Sequence, residues 1–205
     1  MSKDRNWNSV SYSKVSWFSS HSDWERETND YYATEPKAVK LLLELEKFSN
    51  KIREPACWEW HLSNYLIEQW YDVYSSDLIN RWYWEVRDFL ETNYNESLTP
   101  FSKLLWRDII TNPPYKIADK FIIHWLHLLE EWWKMALFLP IRYLEWKARK
   151  KIFQKNPPKK IWVSSSRLKC AMNGEFEKMT WSAVCYARFI REKWYNWETS
   201  LWWFN

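Results

Sequence analysis

The feature that most constrains this chain is a short apolar run that ends in Asn112-Pro113-Pro114-Tyr115 and is followed at once by an amphipathic segment. Apolar residues recur at helical spacing over Ala118 to Glu131, so the tetrapeptide is predicted to connect a buried strand to a helix. Two consecutive prolines remove two backbone donors and fix two φ angles. The turn can therefore present the Asn112 side chain, the Pro113 carbonyl and the Tyr115 ring beyond the carboxyl end of a strand, where open α/β sheets bind their ligands.

Length and composition predict one domain in a reducing compartment. The 205 residues carry a net charge of +4, from 30 Lys and Arg against 26 Asp and Glu, which is compatible with a polyanionic partner. No apolar stretch approaches the ~20 residues of a membrane span. Three unpatterned cysteines predict free thiols in the cytoplasm, and Cys57 with His61 provides too few ligands for a metal site. Residues 1–28 are polar and predicted to be poorly ordered, before a single domain over residues 29–205.

Tryptophan is abnormally common and glycine almost absent. The chain has 19 Trp and 1 Gly, although roughly 7% of residues are usually Gly. Trp132 and Trp133 stand at a predicted helix end, where a positive φ is common and costs a bulky residue about 1–2 kcal/mol. We hypothesise that many tryptophans are glycines in the living protein, encoded by UGA codons that the translated sequence renders as Trp. UGG codons at Trp58, Trp60, Trp132 and Trp133 would refute this hypothesis.

A nucleoside-binding pattern precedes the tetrapeptide. A strand is predicted at residues 51–54, a helix from about residue 61 to residue 69, and a second strand that ends at Asp77. Asp77 follows Trp58 by 19 positions, which is the layout of a βαβ unit whose carboxylate binds the ribose hydroxyls. The glycines typical of such a unit are missing, because Trp58 and Trp60 occupy the turn.

From about Asn29 to its C-terminus the chain resembles the class I S-adenosylmethionine-dependent methyltransferases, and within them the DNA adenine N6-methyltransferases. The most specific match is Asn112-Pro113-Pro114-Tyr115, and the main departure is the replacement of the cofactor-loop glycines by Trp58 and Trp60. The resemblance implies catalytic roles for the tetrapeptide and S-adenosylmethionine as cofactor. It assigns the cofactor ribose to Asp77, its adenine to Asp88 and Phe89, and the remaining cofactor contacts to Tyr31, Thr34, Glu54, Pro55, Ala56, Cys57 and Asn112.

The alternation of strands and helices predicts an α/β domain with a mostly parallel sheet and helices on both faces. Later elements are a predicted helix at Arg142–Phe153, strands at Lys134–Leu139, Lys160–Ser164 and Ser182–Ile190, and a hairpin arm near Ser200. The count of seven strands, the last one antiparallel, matches the Rossmann-like methyltransferase fold that the resemblance implies.

The tetrapeptide has the groups that amine methylation of adenine requires. The exocyclic amine is a poor nucleophile because its lone pair is delocalised into the ring. The Asn112 side-chain oxygen and the Pro113 carbonyl could accept its two hydrogens and free the lone pair, while Tyr115 stacks on a base flipped out of double-stranded DNA. This chemistry needs positioning rather than a metal ion or a covalent nucleophile.

Contacts with the DNA backbone are predicted for Arg142, Arg167 and Lys169, which follow predicted strands. The basic run from Lys147 to Lys160 is more typical of a solvated face. Two alternatives remain open. The acceptor could be a protein glutamine or an RNA base, or the chain could be a catalytically silent, Trp-rich protein that stacks nucleic-acid bases on exposed indoles.

Overall fold

The computed structural model describes residues 33–80, 85–92, 108–128, 133–145, 147–166, 170–171 and 184–204. The predictions for residues 1–28, Tyr31, Trp132, Arg167 and Lys169 lie outside these ranges. In chain order the elements are β1 (Ala33–Thr34), α1 (Pro36–Leu45), β2 (Lys51–Glu54), α2 (His61–Glu68), β3 (Asp72–Asp77), β4 (Glu85–Val86), β5 (Asp108–Thr111), α3 (Ala118–Leu128), β6 (Lys134–Pro140), α4 (Lys150–Lys155), β7 (Lys160–Ser164), β8 (Cys170–Ala171), β9 (Tyr186–Glu192) and β10 (Ser200–Phe204).

The main sheet has eight strands in the order β4-β3-β2-β5-β6-β9-β7-β10, and β1 pairs with β8 in a separate two-stranded sheet. Strands β4, β3, β2, β5 and β6 are parallel to one another, whereas β9 is antiparallel to both β6 and β7. The mostly parallel α/β sheet predicted from the sequence is therefore confirmed.

The main sheet has one strand more than the predicted seven, because the predicted hairpin arm near Ser200 is a further strand of the sheet. Strand β10 pairs in parallel with β7 at the edge of the sheet, instead of forming a hairpin arm with β9. Both sides of β9 are already occupied by β6 and β7, so the open side of β7 is the place where a further strand can add. The antiparallel strand that the prediction counted last is β9.

Helices cover both faces of the sheet because β5 directs alternate side chains to opposite sides. Ile109 belongs to one apolar cluster with Phe121 and Trp125 of α3. Its neighbour Ile110 belongs to a second cluster with Leu42 of α1 and further residues of α2. Each cluster is buried, so the sheet has an apolar core on each side, and the strand ends are held between them.

The helix predicted at Arg142–Phe153 is divided into a 3-10 turn, Ile141–Leu144, and the short helix α4. Tyr143 in this turn is buried, and its hydroxyl hydrogen-bonds to Asp119 of α3. The Arg149 guanidinium lies 3.8 Å from the centroid of the Tyr143 ring. These contacts with α3 anchor the segment where a continuous helix was expected.

Candidate active site

The carboxyl ends of β2, β3, β4 and β5 meet at one edge of the sheet. Strands β2 and β5 are neighbours, with Arg53 paired to Ile109, so the loop after Glu54 lies beside the loop after Thr111. A cavity of about 200 Å³ is present at this edge. Six of the residues predicted for the site contribute to its wall, namely Pro55, Ala56, Asp77, Asp88, Phe89 and Pro114.

Asp77 connects the loop after β2 to the end of β3. Its Oδ2 accepts a hydrogen bond from the Trp58 N–H at 2.9 Å, and its Oδ1 accepts one from the Ile79 N–H at 2.9 Å. The carboxylate is 4% exposed and lines the cavity. Each carboxylate oxygen has a second lone pair, so Asp77 can hold the loop in place and still accept a hydrogen bond from a ligand hydroxyl.

Glu54 and Cys57 are buried, and both are placed to support the loop rather than to form the described cavity wall. The Ser63 hydroxyl of α2 donates to Glu54. Burial raises the pKa of Glu54 well above its ordinary value of 4.5, and the charge of Asp77 adds to this rise. The Cys57 N–H donates to the Ser76 carbonyl at 3.1 Å. These bonds attach the loop to α2 and β3.

Asp88 and Phe89 follow β4 and form another part of the wall. The Asp88 Oδ1 accepts from the Leu90 N–H at 2.8 Å and begins a short 3-10 turn. The centroid of the Phe89 ring lies 4.9 Å from the centroid of the Phe121 ring. The guanidinium carbon of Arg53 lies 4.9 Å from the same Phe89 centroid. Packing on both sides fixes the ring, so Phe89 is a rigid apolar wall.

The Asn-Pro-Pro-Tyr turn leaves β5 as the sequence predicted. Asn112 is 6% exposed, and Pro114 lies in the cavity wall. The Pro114 carbonyl accepts from the Ile117 N–H at 3.0 Å, which leads the chain into α3. The half-buried Tyr115 ring lies 6.4 Å from the Tyr186 ring, at an angle of 44°. The turn therefore joins the cavity to a pair of aromatic rings beside it.

Thr34 and Arg142 lie outside the described cavity wall, as do five predicted residues of the two loops, Glu54, Cys57, Asn112, Pro113 and Tyr115. Thr34 is buried in β1, where it pairs with Cys170 of β8 in the small sheet. Arg142 is exposed in the 3-10 turn that follows β6, the neighbour of β5. Its exposure leaves it accessible to a partner, whereas Thr34 is enclosed by the protein.

Several cations of the basic run from Lys147 to Lys160 form ion pairs within the protein. The Arg149 Nε lies 3.3 Å from Asp119, and the Lys159 Nζ lies 2.8 Å from Glu192. The Lys160 Nζ lies 2.8 Å from a carboxylate oxygen of the buried Glu46. These cations stabilise contacts between elements of the fold, so the run is not a uniform phosphate-binding face.

Arg87 and Lys116 also line the cavity and were missed in the sequence. Arg87 follows β4 directly, and its backbone N–H donates to the Asp77 backbone carbonyl at 2.8 Å. Lys116 follows Tyr115 at the start of the turn into α3. Their positions immediately beside Asp88 and Tyr115 are the signal that could have identified them. The Arg87 guanidinium is paired with Glu85 at 2.9 Å.

The described residues do not form a metal site or a membrane span. In those ranges no group of three or more His, Cys, Asp or Glu side chains is arranged to hold a metal ion. The described helices include none that is long and apolar enough to cross a membrane. Cys57 and Cys185 are free thiols.

No family model matches the sequence, and no curated protein matches it. Solved structures do match. A protein from Listeria monocytogenes assigned as a class I S-adenosylmethionine-dependent methyltransferase superposes with a TM-score of 0.56 at 15% identity, covering 89% of this chain and 68% of the other. An S-adenosylmethionine-dependent O-methyltransferase from Thermotoga maritima gives 0.53 at 14% identity, covering 85% and 70%. This chain has the class I methyltransferase fold.

The type IIG restriction endonuclease BpuSI is also similar, with a TM-score of 0.58 at 14% identity. The match covers 82% of this chain but only 26% of BpuSI, so the chain spans about a quarter of that protein. At such low identities the likeness concerns the fold alone.

Proposed function

We propose that this protein methylates the N6 amine of adenine in double-stranded DNA, with S-adenosylmethionine as the methyl donor. The observation that carries the proposal is the place of the Asn-Pro-Pro-Tyr turn. It directly follows β5, in the middle of the sheet of a class I methyltransferase fold, and Pro114 lies in the wall of the cavity. The similarity to a restriction endonuclease supports DNA as the acceptor.

The acceptor side uses groups already fixed by the fold. The Asn112 side-chain oxygen and the Pro113 carbonyl would each accept one hydrogen of the adenine amine, which localises the nitrogen lone pair. Tyr115 would stack on the flipped base, and the neighbouring Tyr186 ring supports that aromatic surface. Because both prolines restrict the turn, little conformational freedom is lost when a base binds.

The cavity on the donor side is small for S-adenosylmethionine as the sequence stands. Asp77, Asp88 and Phe89 line the cavity, but so does the side chain of Trp58, which is 7% exposed. The space that remains, about 200 Å³, is smaller than the roughly 300–1,000 Å³ of pockets that bind small molecules and cofactors. Trp58 is one of the residues that bound this small cavity.

An RNA base is the strongest alternative acceptor. A protein from Pyrococcus horikoshii assigned as an RNA methyltransferase superposes with a TM-score of 0.50 at 10% identity, covering 77% of this chain and 81% of the other. Stacking on Tyr115 and acceptance by Asn112 would serve an adenine in either nucleic acid. The acceptor must therefore be determined by experiment.

The test is transfer of a labelled methyl group by the variant Trp58→Gly/Trp60→Gly, with duplex DNA, RNA and protein offered in separate reactions. We expect label in N6-methyladenine released from the DNA, and none when Asn112→Ala is added to the same variant. Label in RNA or in a glutamine side chain would contradict the proposed acceptor. A variant that binds the cofactor and labels no acceptor would favour the catalytically silent alternative.

A further inference from the structure

In the described part of the chain, every non-glycine residue with a positive φ is a tryptophan. The angles are 49° at Trp58, 73° at Trp60, 66° at Trp70 and 70° at Trp194. Asn and Asp are the side chains normally enriched in this region, and bulky residues are disfavoured there. Tryptophan accounts for 19 of the 205 residues, so its presence at all four positions does not follow from its abundance.

Trp70 occupies the position that glycine usually takes after a helix. Helix α2 ends at Glu68, and the Trp70 N–H donates to the Ile67 carbonyl at 2.9 Å. The Tyr71 N–H donates to the Leu66 carbonyl at 3.1 Å. This pair of bonds is the Schellman motif, whose left-handed residue is most often glycine. The Trp70 side chain is 89% exposed, so packing of the indole does not explain its presence.

Trp194 occupies a glycine position in the turn after β9. The Tyr195 N–H donates to the Glu192 carbonyl at 3.2 Å, so residues 192–195 form a four-residue turn with Trp194 in third place. A positive φ at the third residue is the mark of a type II turn, which normally has glycine there. The Trp194 side chain is 69% exposed.

Trp58 and Trp60 occupy two more such positions in the loop after β2. The Trp60 N–H donates to the Cys57 carbonyl at 2.8 Å, which places Trp58 second in a four-residue turn. A positive φ at the second residue alone is typical of a type II′ turn, again with glycine in that place. Trp60 immediately precedes α2 and has a left-handed backbone, with φ 73° and ψ 3°.

We infer that positions 58, 60, 70 and 194 require glycine, and that tryptophan at 58 narrows the cofactor side of the active site. The first part rests on backbone geometry alone, whereas the second rests on the proposed function. Three different hydrogen-bonded motifs each place a tryptophan where the motif takes glycine, and Trp60 has a left-handed backbone at the start of α2. Removal of the Trp58 indole would enlarge the cavity beside Asp77 while the Asp77 bond to the residue 58 N–H is kept.

The inference is specific to these positions and does not extend to every tryptophan. Trp125 is completely buried within α3, and the Trp162 Nε1 in β7 donates to Glu46 at 2.9 Å. Neither residue has a positive φ. Their indoles fill space or form a hydrogen bond, so backbone geometry gives no reason to replace them.

The first test compares glycine with alanine at single positions in the full chain, which separates the backbone requirement from loss of the indole. At Trp70 and at Trp194 we expect the glycine variant to have a Tm about 2–8 °C higher than the alanine variant, because only glycine adopts a left-handed backbone without cost. Trp197 is the matched control, since it is also 69% exposed but lacks a positive φ. At Trp197 the Tm of the alanine variant should equal or exceed that of the glycine variant. Equal Tm values for glycine and alanine at both Trp70 and Trp194 would overturn the first part.

The second test measures binding of S-adenosylmethionine by isothermal titration calorimetry. We expect Trp58→Gly/Trp60→Gly to bind at least about tenfold more tightly than the parent chain. The matched variant Trp70→Gly/Trp194→Gly should bind no more tightly than the parent, because both residues lie outside the described cavity wall. Absence of binding by a folded Trp58→Gly/Trp60→Gly protein would overturn the second part. If the glycine preference at Trp70 and Trp194 still held, the backbone inference would stand and the proposed function would fail.

Discussion

The loop after β2 and the turn after β5 follow adjacent parallel strands, yet their side chains suit their backbones very differently. After β5, two prolines occupy a turn whose restricted φ angles they favour. After β2, Trp58 and Trp60 both have a left-handed backbone that favours glycine. The acceptor half of the site is therefore consistent with its sequence, and the donor half is not.

This difference shows that a fold can persist where one of its binding loops is compromised. The sheet depends on apolar side chains such as Ile52, Ile110 and Leu137, all of which are buried in the two cores. The loop adds Ala56 and Trp58 to one of these cores, and Asp77 holds it through the backbone N–H of residue 58, which any residue except proline provides. Recognition of the fold thus requires much less of the sequence than binding of a cofactor does.

The largest expected effect concerns the acceptor turn. In the Trp58→Gly/Trp60→Gly variant, Asn112→Ala should lower the rate of methyl transfer by about 10²–10³-fold, the usual loss when one positioned polar group is removed from an active site. Cofactor affinity should fall far less than the rate, because Asn112 is only one of several residues assigned to the cofactor, whereas its side-chain oxygen acts directly on the acceptor amine. Rates and calorimetric affinities measured in parallel would separate the two effects.

Asn64→Ala is the matched control for that change, since Asn64 is exposed on α2 and bonded to Glu68. Its rate should equal that of the unmodified variant. A similar rate loss in both substitutions, or none in Asn112→Ala, would contradict the role given to the acceptor turn.

A second prediction tests how the donor loop is held. Asp77→Asn should lower the free energy of unfolding by about 1–3 kcal/mol. The carboxylate now accepts hydrogen bonds from two backbone N–H groups, and the amide nitrogen of asparagine, itself a donor, would leave one of them without an acceptor. The Tm should fall by about 2–12 °C. Asp72→Asn, at the exposed start of the same strand, should change it little. Equal effects from both substitutions would show that the loop is not held by Asp77.

A third prediction concerns pH. Burial raises the pKa of Glu54 above 4.5, so the folded chain holds a proton that the unfolded chain releases. The contribution of this group to stability is therefore lost as the pH rises from about 4.5 towards the raised pKa. Glu54→Gln should become more stable relative to the parent over that window, by at most about 1.4 kcal/mol per pH unit. Denaturant titrations between pH 4 and pH 8 that gave a constant difference would contradict the assignment.

The smallest expected effect distinguishes two arginines. Arg142→Ala should weaken binding of duplex DNA and reduce the slope of log affinity against log salt by about 1, with an unchanged Tm, because Arg142 is exposed. Arg149→Ala should lower the Tm instead, since Arg149 contacts Asp119 and Tyr143. Filter binding at several salt concentrations and thermal unfolding measure the two effects. A lower Tm for Arg142→Ala, or weaker DNA binding with an unchanged Tm for Arg149→Ala, would contradict the assignment.

The sequence predicted the strands whose formation depends on neighbouring residues along the chain. Lys51–Glu54 was expected as a strand with the bounds that it has, and the next strand ends at Asp77 as expected. The contacts of Tyr143 and Arg149 with Asp119 join residues 24 or more positions apart, so the interrupted helix before α4 could not be foreseen. The edge position of β10 depended in the same way on the pairing of β9.

The tryptophan hypothesis was also only partly foreseeable. Composition indicated that tryptophans stand at glycine positions, and the loop pattern identified Trp58 and Trp60. A left-handed helix end was expected at Trp132 and Trp133, but the described example is Trp70, and Trp133 has no positive φ. The local signal at Trp70 was the short connection between a helix and a strand, where a Schellman motif commonly ends the helix.

The most direct test of the account is the mass of the peptide that contains residues 58 and 60, isolated from the protein as its natural host synthesises it. We predict a peptide with glycine at both positions, encoded by UGA codons. A peptide with tryptophan at both positions, encoded by UGG, would contradict the account, because Trp58 would then narrow the cofactor side of the active site in the living protein.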